Sequence, residues 1–290
     1  MRARSCCPQR RASSSISCWS SSASAISPRR CGPIKQRKIL MPDNYSLFYT
    51  FDGDQPARFQ EARVFGTTVW TASGAAMTWG AETRTHYASD AEAHAAYVAR
   101  CQAALADGYS LARASVIDPA VFDFALLQTL VAQAARLAFD CVRRAHPDQY
   151  IDAFALVSDD SAMTIGCMAN SREALAVSEY GEEMLWNPAE WAFDGGGAYF
   201  DSAYRLLLQA HRALPFDVAF ATFRAGVFDA CIAALAQLDA EGCFGTGALR
   251  DQAVLLFEVS DSEPVEGALA RLNPPAVVAR FEAWMASWAD

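Results

Sequence analysis

No lysine follows Lys38 in this 290-residue chain, so every later cation is an arginine. The opposite gap stands at the start. Residues 1–40 hold no Asp or Glu but nine bases: Arg2, Arg4, Arg10, Arg11, Arg29, Arg30, Lys35, Arg37 and Lys38. Residues 41–290 therefore carry 24 − 9 = 15 arginines against all 33 acids, a formal net of −18. A balance this acidic disfavours phosphate-rich partners, which need cations to release counterions. Histidine is scarce. His86, His94, His146 and His211 show no H-x-x-x-H spacing and no cysteine beside them, so no zinc site is expected. G-x-S-x-G and G-x-x-x-x-G-K-[ST] are both missing, which removes the common nucleophile-elbow and phosphate-loop chemistries. Beyond the leader, Cys101, Cys141, Cys167, Cys231 and Cys243 stand isolated among apolar residues, odd in number and without C-x-x-C. That pattern reads as reduced buried thiols rather than disulfides. Uninterrupted apolar runs fall short of the ~18 residues that span a bilayer. The expectation is a cytoplasmic protein with no membrane association and no cofactor.

The leader, residues 1–40, is rich in Ser and Arg and lacks both hydrophobic periodicity and an apolar signal-peptide segment. It reads as a disordered leader with the composition of a transit peptide, or as a start called too early, with Met41 the true beginning. The latter reading is preferred, because ordered patterning begins directly after Met41.

Residues 41–115 read as a small β-rich module. Tyr45 to Phe51, Arg58 to Val64, Thr67 to Thr71 and Thr83 to Tyr87 have strand composition, punctuated by Gly53, Gly66, Gly74 and Gly80. Ser89 with Glu92 predicts a capped helix running to about Ala106, stopped by Gly108. Arg58-Phe59-Gln60-Glu61-Ala62, Gly74, Gly80, Thr83-Arg84-Thr85-His86-Tyr87, Asp90-Ala91-Glu92-Ala93 and Asp107-Gly108-Tyr109 together resemble the WGR domain. The resemblance implies a β-sheet module whose signature Trp and Arg contact nucleic acid. Here Ser73-Gly74-Ala75 occupies the signature, so only the glycine is kept. With five arginines against eight acids in the module, nucleic-acid binding is not the preferred role. Trp70 and Trp79 are expected in its core.

Residues 116–290 read as a second, α+β domain. Asp118-Pro119 is expected to open a helix to about Arg144. Strands follow at Ala153 to Val157 and Met163 to Met168, joined by a Ser158-Asp159-Asp160-Ser161 hairpin. Asn170 is expected to cap a helix over Arg172 to Tyr180. Gly195-Gly196-Gly197 reads as a flexible joint. Helices at Tyr199 to Ala213 and Val218 to Leu238 precede an apolar strand at Ala253 to Ser260, expected at the centre of a sheet. Asn273-Pro274-Pro275 should cap a last helix burying Val277, Val278, Phe281, Trp284 and Trp288. Four islands resemble a bacterial family of domains of unknown function numbered 4303. They are Ala153 to Asp160 with Ala169-Asn170, Trp186-Asn187-Pro188-Ala189-Glu190-Trp191, Leu238 to Gly245, and Ser260-Asp261-Ser262 with Leu272-Asn273-Pro274-Pro275. The resemblance implies a fold and an accessory or immunity-type setting, with no activity attached.

Candidate binding residues are Trp186, Glu190, Trp191, Asp159, Asp160, Glu241 and Asp261. Acids at element ends can converge on a cation or form an acid/base pair, but Asp159-Asp160 also suits a turn and Glu241 a helix end. Glu190 is expected to brace an indole. The reading is a non-enzymatic protein-binding or accessory protein, possibly immunity-type against a basic toxin, since residues 116–290 carry ten arginines against 25 acids. The alternatives are nucleic-acid association through the first module and a hydrolase built on the acidic cluster.

Overall fold

The computed structural model describes residues 43–118, 121–178, 181, 183–213, 218–260 and 262–287. The leader, Asp261, Trp288 and the end of the helix expected to reach Tyr180 lie outside them. The fold is α+β.

Strands β1 (Tyr45–Asp52), β2 (Gln55–Phe65), β3 (Thr68–Ala75) and β4 (Ala81–His86) precede helix α1 (Asp90–Ala106) and strand β5 (Ser110–Ser115). They form an antiparallel sheet in the order β4-β3-β2-β1-β5. Period-two alternation divides its side chains. Phe48, Ala62, Val64 and Val69 pack on Ala93, Tyr97, Cys101 and Ala104 of α1. Tyr45, Leu47, Tyr49, Phe59, Trp70 and Ala72 line the other face. Ser89 caps α1 as expected, accepting from Glu92 N at 3.2 Å, while the Glu92 carboxylate reaches back to Ala88 N. Gly108, at φ +86°, ends it. Strand β5 escapes the sequence pattern because Ser-Leu-Ala-Arg-Ala-Ser buries little; its backbone pairing with β1 makes it a strand.

The chain continues through α2 (Phe124–Ala145), β6 (Ile151–Asp159), β7 (Ile165–Ser171), α3 (Arg172–Ala176), α4 (Glu183–Trp186) and β8 (Phe193–Asp194). Helices α5 (Asp201–Ala213) and α6 (Val218–Ala240), strand β9 (Val254–Ser260), and helices α7 (Ala268–Leu272) and α8 (Pro275–Ala286) complete it. Helix α2 starts at Asp123, whose side chain accepts from Leu126 N at 2.9 Å, rather than at Asp118. Ser171 rather than Asn170 caps α3. The second sheet is mixed, in the order β8-β7-β6-β9, with β9 parallel to β6. Phe154 and Leu156 of β6 face α2, α5 and α6; Ala153 and Ala155 face α4 and α8. Residues 124–145 and 219–240 are long and apolar enough to cross a bilayer by composition. In this fold their apolar stripes meet each other and the sheet: Val131, Ala135, Ala138 and Val142 against Val227, Cys231, Leu235 and Leu238. Each such fully buried Val or Leu contributes about 1.5–3 kcal/mol relative to exposure.

Three expectations are corrected here. Strand β9 lies at a sheet edge, and a side chain stands in for the missing neighbour. Asn273 Oδ1 accepts from Leu255 N at 2.9 Å and its Nδ2 donates to Leu255 O at 2.7 Å. Asn273 therefore seals an edge; it does not cap α8, whose N-cap is Pro274. Gly195 is a close approach rather than a joint, since a Cβ there would sit 2.2 Å from Cys167 Sγ.

Helix α5 lies between the two sheets. Leu206, Leu207 and Ala210 enter the main core, while Asp201, Arg205, Gln209 and Arg212, at helical spacing, face the first sheet. Asp201 accepts from Tyr49 Oη at 2.7 Å and from the N–H of Met77, a non-glycine residue at φ +59°. Arg205 donates to Thr78 O and Trp79 O, pairs with Asp201 at 3.4 Å, and stacks 3.6 Å over the Phe59 ring. Gln209 donates to buried Glu61, and Arg212 pairs with Glu82. Burial holds the Glu61 carboxyl above its usual pKa against the pull of Arg63 and Arg205. Burial also brings Arg63 down to about 10. Trp70 is buried as expected, whereas Trp79 is 56% exposed because it rides on the turn that α5 grips.

Candidate functional site

The distinctive backbone feature of the second sheet is a β-bulge. Ile151 pairs with Ser171 and Ala153 with Asn170, leaving Asp152 as the extra residue. A bulge re-aims the side chain it carries. Asp152 lines a cleft of about 520 Å³ together with Arg172, Leu175, Leu185, Gln252, Val277 and Arg280. Its carboxylate is 10% exposed; Oδ2 meets Arg172 Nε at 3.1 Å, and Oδ1 is buried with no hydrogen-bond partner. Burial raises the Asp152 carboxyl above the usual carboxylate range, while Arg172 pulls it back. Arg172 is positioned by the Ser171 cap, by Gln252 Oε1 at 2.8 Å and by the Tyr150 ring, 4.7 Å away.

Short helix α4 separates this cleft from a second hollow. Leu185 faces the cleft, whereas Glu183 and Met184 line a groove of about 240 Å³ completed by Asn187 and Glu190. Both tryptophans of the Trp-Asn-Pro-Ala-Glu-Trp segment are buried in the layer that holds Leu185 and Val277, and neither lines the groove. Trp191 is buried and its indole donates to Met184 O at 2.8 Å. Trp186 is buried against Phe281 and Trp284, and its indole N–H has no partner. The indole brace expected of Glu190 is thus supplied to Trp191 by a backbone carbonyl, which leaves Glu190 exposed on the groove wall.

The remaining candidate acids lie apart from it. Asp159 accepts from Met163 N, Thr164 N and Thr164 Oγ1, which is turn chemistry. Asp160 pairs with Arg224 at 2.6 Å, and Glu241 pairs with Arg136. Arg224 and Glu241 are separated by 17 residues of α6 and the turn after it, about 25 Å at 1.5 Å per residue. Asp261 lies outside the described residues. Among the described residues no group of three metal-ligating side chains forms. Burial pushes the Cys101 and Cys231 thiols up, which suits packing rather than nucleophilic use.

Sequence reasoning missed Asp152, Arg172, Glu183 and Arg280. Asp152 directly precedes a recognised strand, but only pairing with β7 reveals the bulge.

Glu258 on β9 supplies a pH-dependent test of this side of the sheet. Its Oε2 is buried without a partner, and burial alone raises its pKa. A carboxyl with a folded pKa above its unfolded value lowers stability as pH rises from about 4.3 through the raised value. Glu258→Gln should therefore raise the urea midpoint at neutral pH and leave it nearly unchanged in acid. An equal shift at both pH values would contradict this assignment.

A search of curated proteins gives no match. A crystal structure of a Bacteroides fragilis protein is 23% identical over 24% of this chain and 19% of that chain. Its TM-score is 0.22. Residues 131–274, which contain Asp152, Arg172, Glu183 and Glu190, match the family model DUF4303, a domain of unknown function.

Proposed function

We propose that this chain is a non-enzymatic, cytoplasmic binding protein of immunity type, whose partner is a basic protein engaged at the groove between Glu183 and Glu190. The observation that carries this reading is the groove itself: two carboxylates, an amide and a thioether, with no cation among its described lining residues. The charge of the chain agrees. Arg136, Arg144, Arg172, Arg205, Arg212, Arg224, Arg250 and Arg271 are each paired with a carboxylate, so their positive charge is compensated within the chain. The surplus acids set a negative field that steers a cationic partner. Met184 adds an adaptable apolar contact for the stem of a lysine or arginine.

The amino-terminal module, which we take as a degenerate WGR-like domain, acts in this reading as a docking frame rather than a nucleic-acid reader. One face of its sheet is covered by α1, and α5 covers the other. Neutralising the groove with Glu183→Gln/Glu190→Gln is expected to weaken partner binding by about tenfold while leaving the fold intact. Co-purification of the wild-type and variant chains from the native host reads this out. A basic protein recovered with both in equal yield would refute the groove as the contact.

A further inference from the structure

Strand β4 ends the first sheet, and among the described residues no strand lies beyond it. All six of its residues, Ala81-Glu82-Thr83-Arg84-Thr85-His86, are exposed. Tyr87 N donates to Thr67 O at 2.9 Å, which continues the β3–β4 register. Hydrogen-bonded pairs recur at every second residue of an antiparallel ladder, so Ala81, Thr83 and Thr85 aim their N–H and C=O groups at β3. Glu82, Arg84 and His86 aim theirs away from the sheet. Such an edge accepts a further strand unless its charges repel one. Here the charges alternate in sign instead. Glu82 meets Arg212 through Oε1, which leaves Oε2 for a second cation. Arg84 pairs with no carboxylate among the described residues.

Glu-Thr-Arg read backwards is Arg-Thr-Glu, so a second copy of β4 laid antiparallel offers the complementary charges. A two-fold axis at Thr83 sets Glu82 opposite the partner's Arg84, and Arg84 opposite the partner's Glu82. Both positions carry outward backbone groups, so each pair also exchanges N–H and C=O bonds across the axis. Thr83 meets the partner's Thr83 on the other face of the sheet, a favourable cross-strand pair. Neighbouring axes fail. At Glu82 or Arg84 they set like charges together, at Thr85 they set Arg84 against His86, and between residues they set outward groups against inward ones. The opposite edge, β5, has no such pattern, since its one charge is Arg113, whose guanidinium is buried. From the open edge, the outward backbone groups and this charge complementarity, we infer that β4 is a homodimer interface, pairing antiparallel with the β4 of a second copy about Thr83. This surface belongs to the first sheet and does not rest on the proposed groove partner.

Sedimentation velocity of the full chain over a concentration series up to about 10⁻⁴ M tests it; wild type should pass reversibly from monomer to dimer. Arg84→Glu puts like charges across the axis and should weaken the dimer about tenfold or more. Arg84→Pro, which removes an outward N–H that β3 does not use, should weaken it as strongly. Glu82→Arg should also be monomeric alone. Mixed in equal amounts with Arg84→Glu it should give a heterodimer, because opposite charges again face each other. Circular dichroism checks that each variant is folded; should Glu82→Arg unfold beside Arg212, the two Arg84 variants decide the matter. A wild-type chain that stays monomeric throughout the series would overturn the inference, as would a dimer unaffected by Arg84→Glu or Arg84→Pro. Folded single variants that form no heterodimer on mixing would overturn it too.

Discussion

Arg205→Ala is expected to destabilise the chain by about 3–5 kcal/mol, the usual loss when one member of a buried ion pair is removed. Arg205 is 1% exposed and Asp201 is fully buried, so the substitution strands a carboxylate with only the Tyr49 hydroxyl and the Met77 N–H for support. It also frees the carbonyls of Thr78 and Trp79 and removes the cation stacked on Phe59. The effect should reach both modules, because α5 packs against both sheets. Urea unfolding read by tryptophan fluorescence measures it. The double change Asp201→Asn/Arg205→Leu should recover part of the loss, since it removes the stranded charge. A loss under about 1 kcal/mol for Arg205→Ala would show that the two layers are not locked through this pair.

The second large effect is expected at Asn273. Replacing it with alanine leaves Leu255 N and Leu255 O without partners at the edge of β9, each costing about 1–3 kcal/mol, so the total is about 2–6 kcal/mol. Asn273→Asp keeps an acceptor for Leu255 N but, when ionised, cannot donate to Leu255 O, so at neutral pH it should lie between alanine and wild type and should recover toward wild type in acid, where the protonated carboxyl supplies an O–H donor. Hydrogen exchange at Leu255 is the local readout. Continued protection of that amide in Asn273→Ala would contradict the edge-sealing role. An unsealed β9 would also present a bare strand for aggregation.

These two sites show where the fold was legible and where it was not. Alternating aromatic and β-branched residues placed β1 to β3, and the Ser89, Glu92 and Gly108 signals bounded α1, because local chemistry decides those features. Asn273 stood out in a recognisable segment, yet its position before two prolines suggested a helix cap. The strand it seals is 18 residues away, a distance no local pattern encodes. The polar stripe Asp201, Arg205, Gln209 and Arg212 has the spacing of a solvent face, and only the docking of the first sheet buries it. Trp79 failed for the converse reason: its hydrophobicity suggested the core, but the β3–β4 turn carries it outward. The candidate site divides in the same way. Glu190 was identified from its segment, but its groove partner Glu183 and the bulged Asp152 depend on how α4 and β7 pack.

The most direct test of the proposed function is the affinity of the purified chain for its co-purified partner, measured at rising salt with wild type and with Glu183→Gln/Glu190→Gln. Binding through an acid-lined groove to a basic surface should weaken steeply with salt, and the double variant should be weaker at low salt and less salt-sensitive. A partner whose affinity is independent of salt and identical for both chains would contradict it.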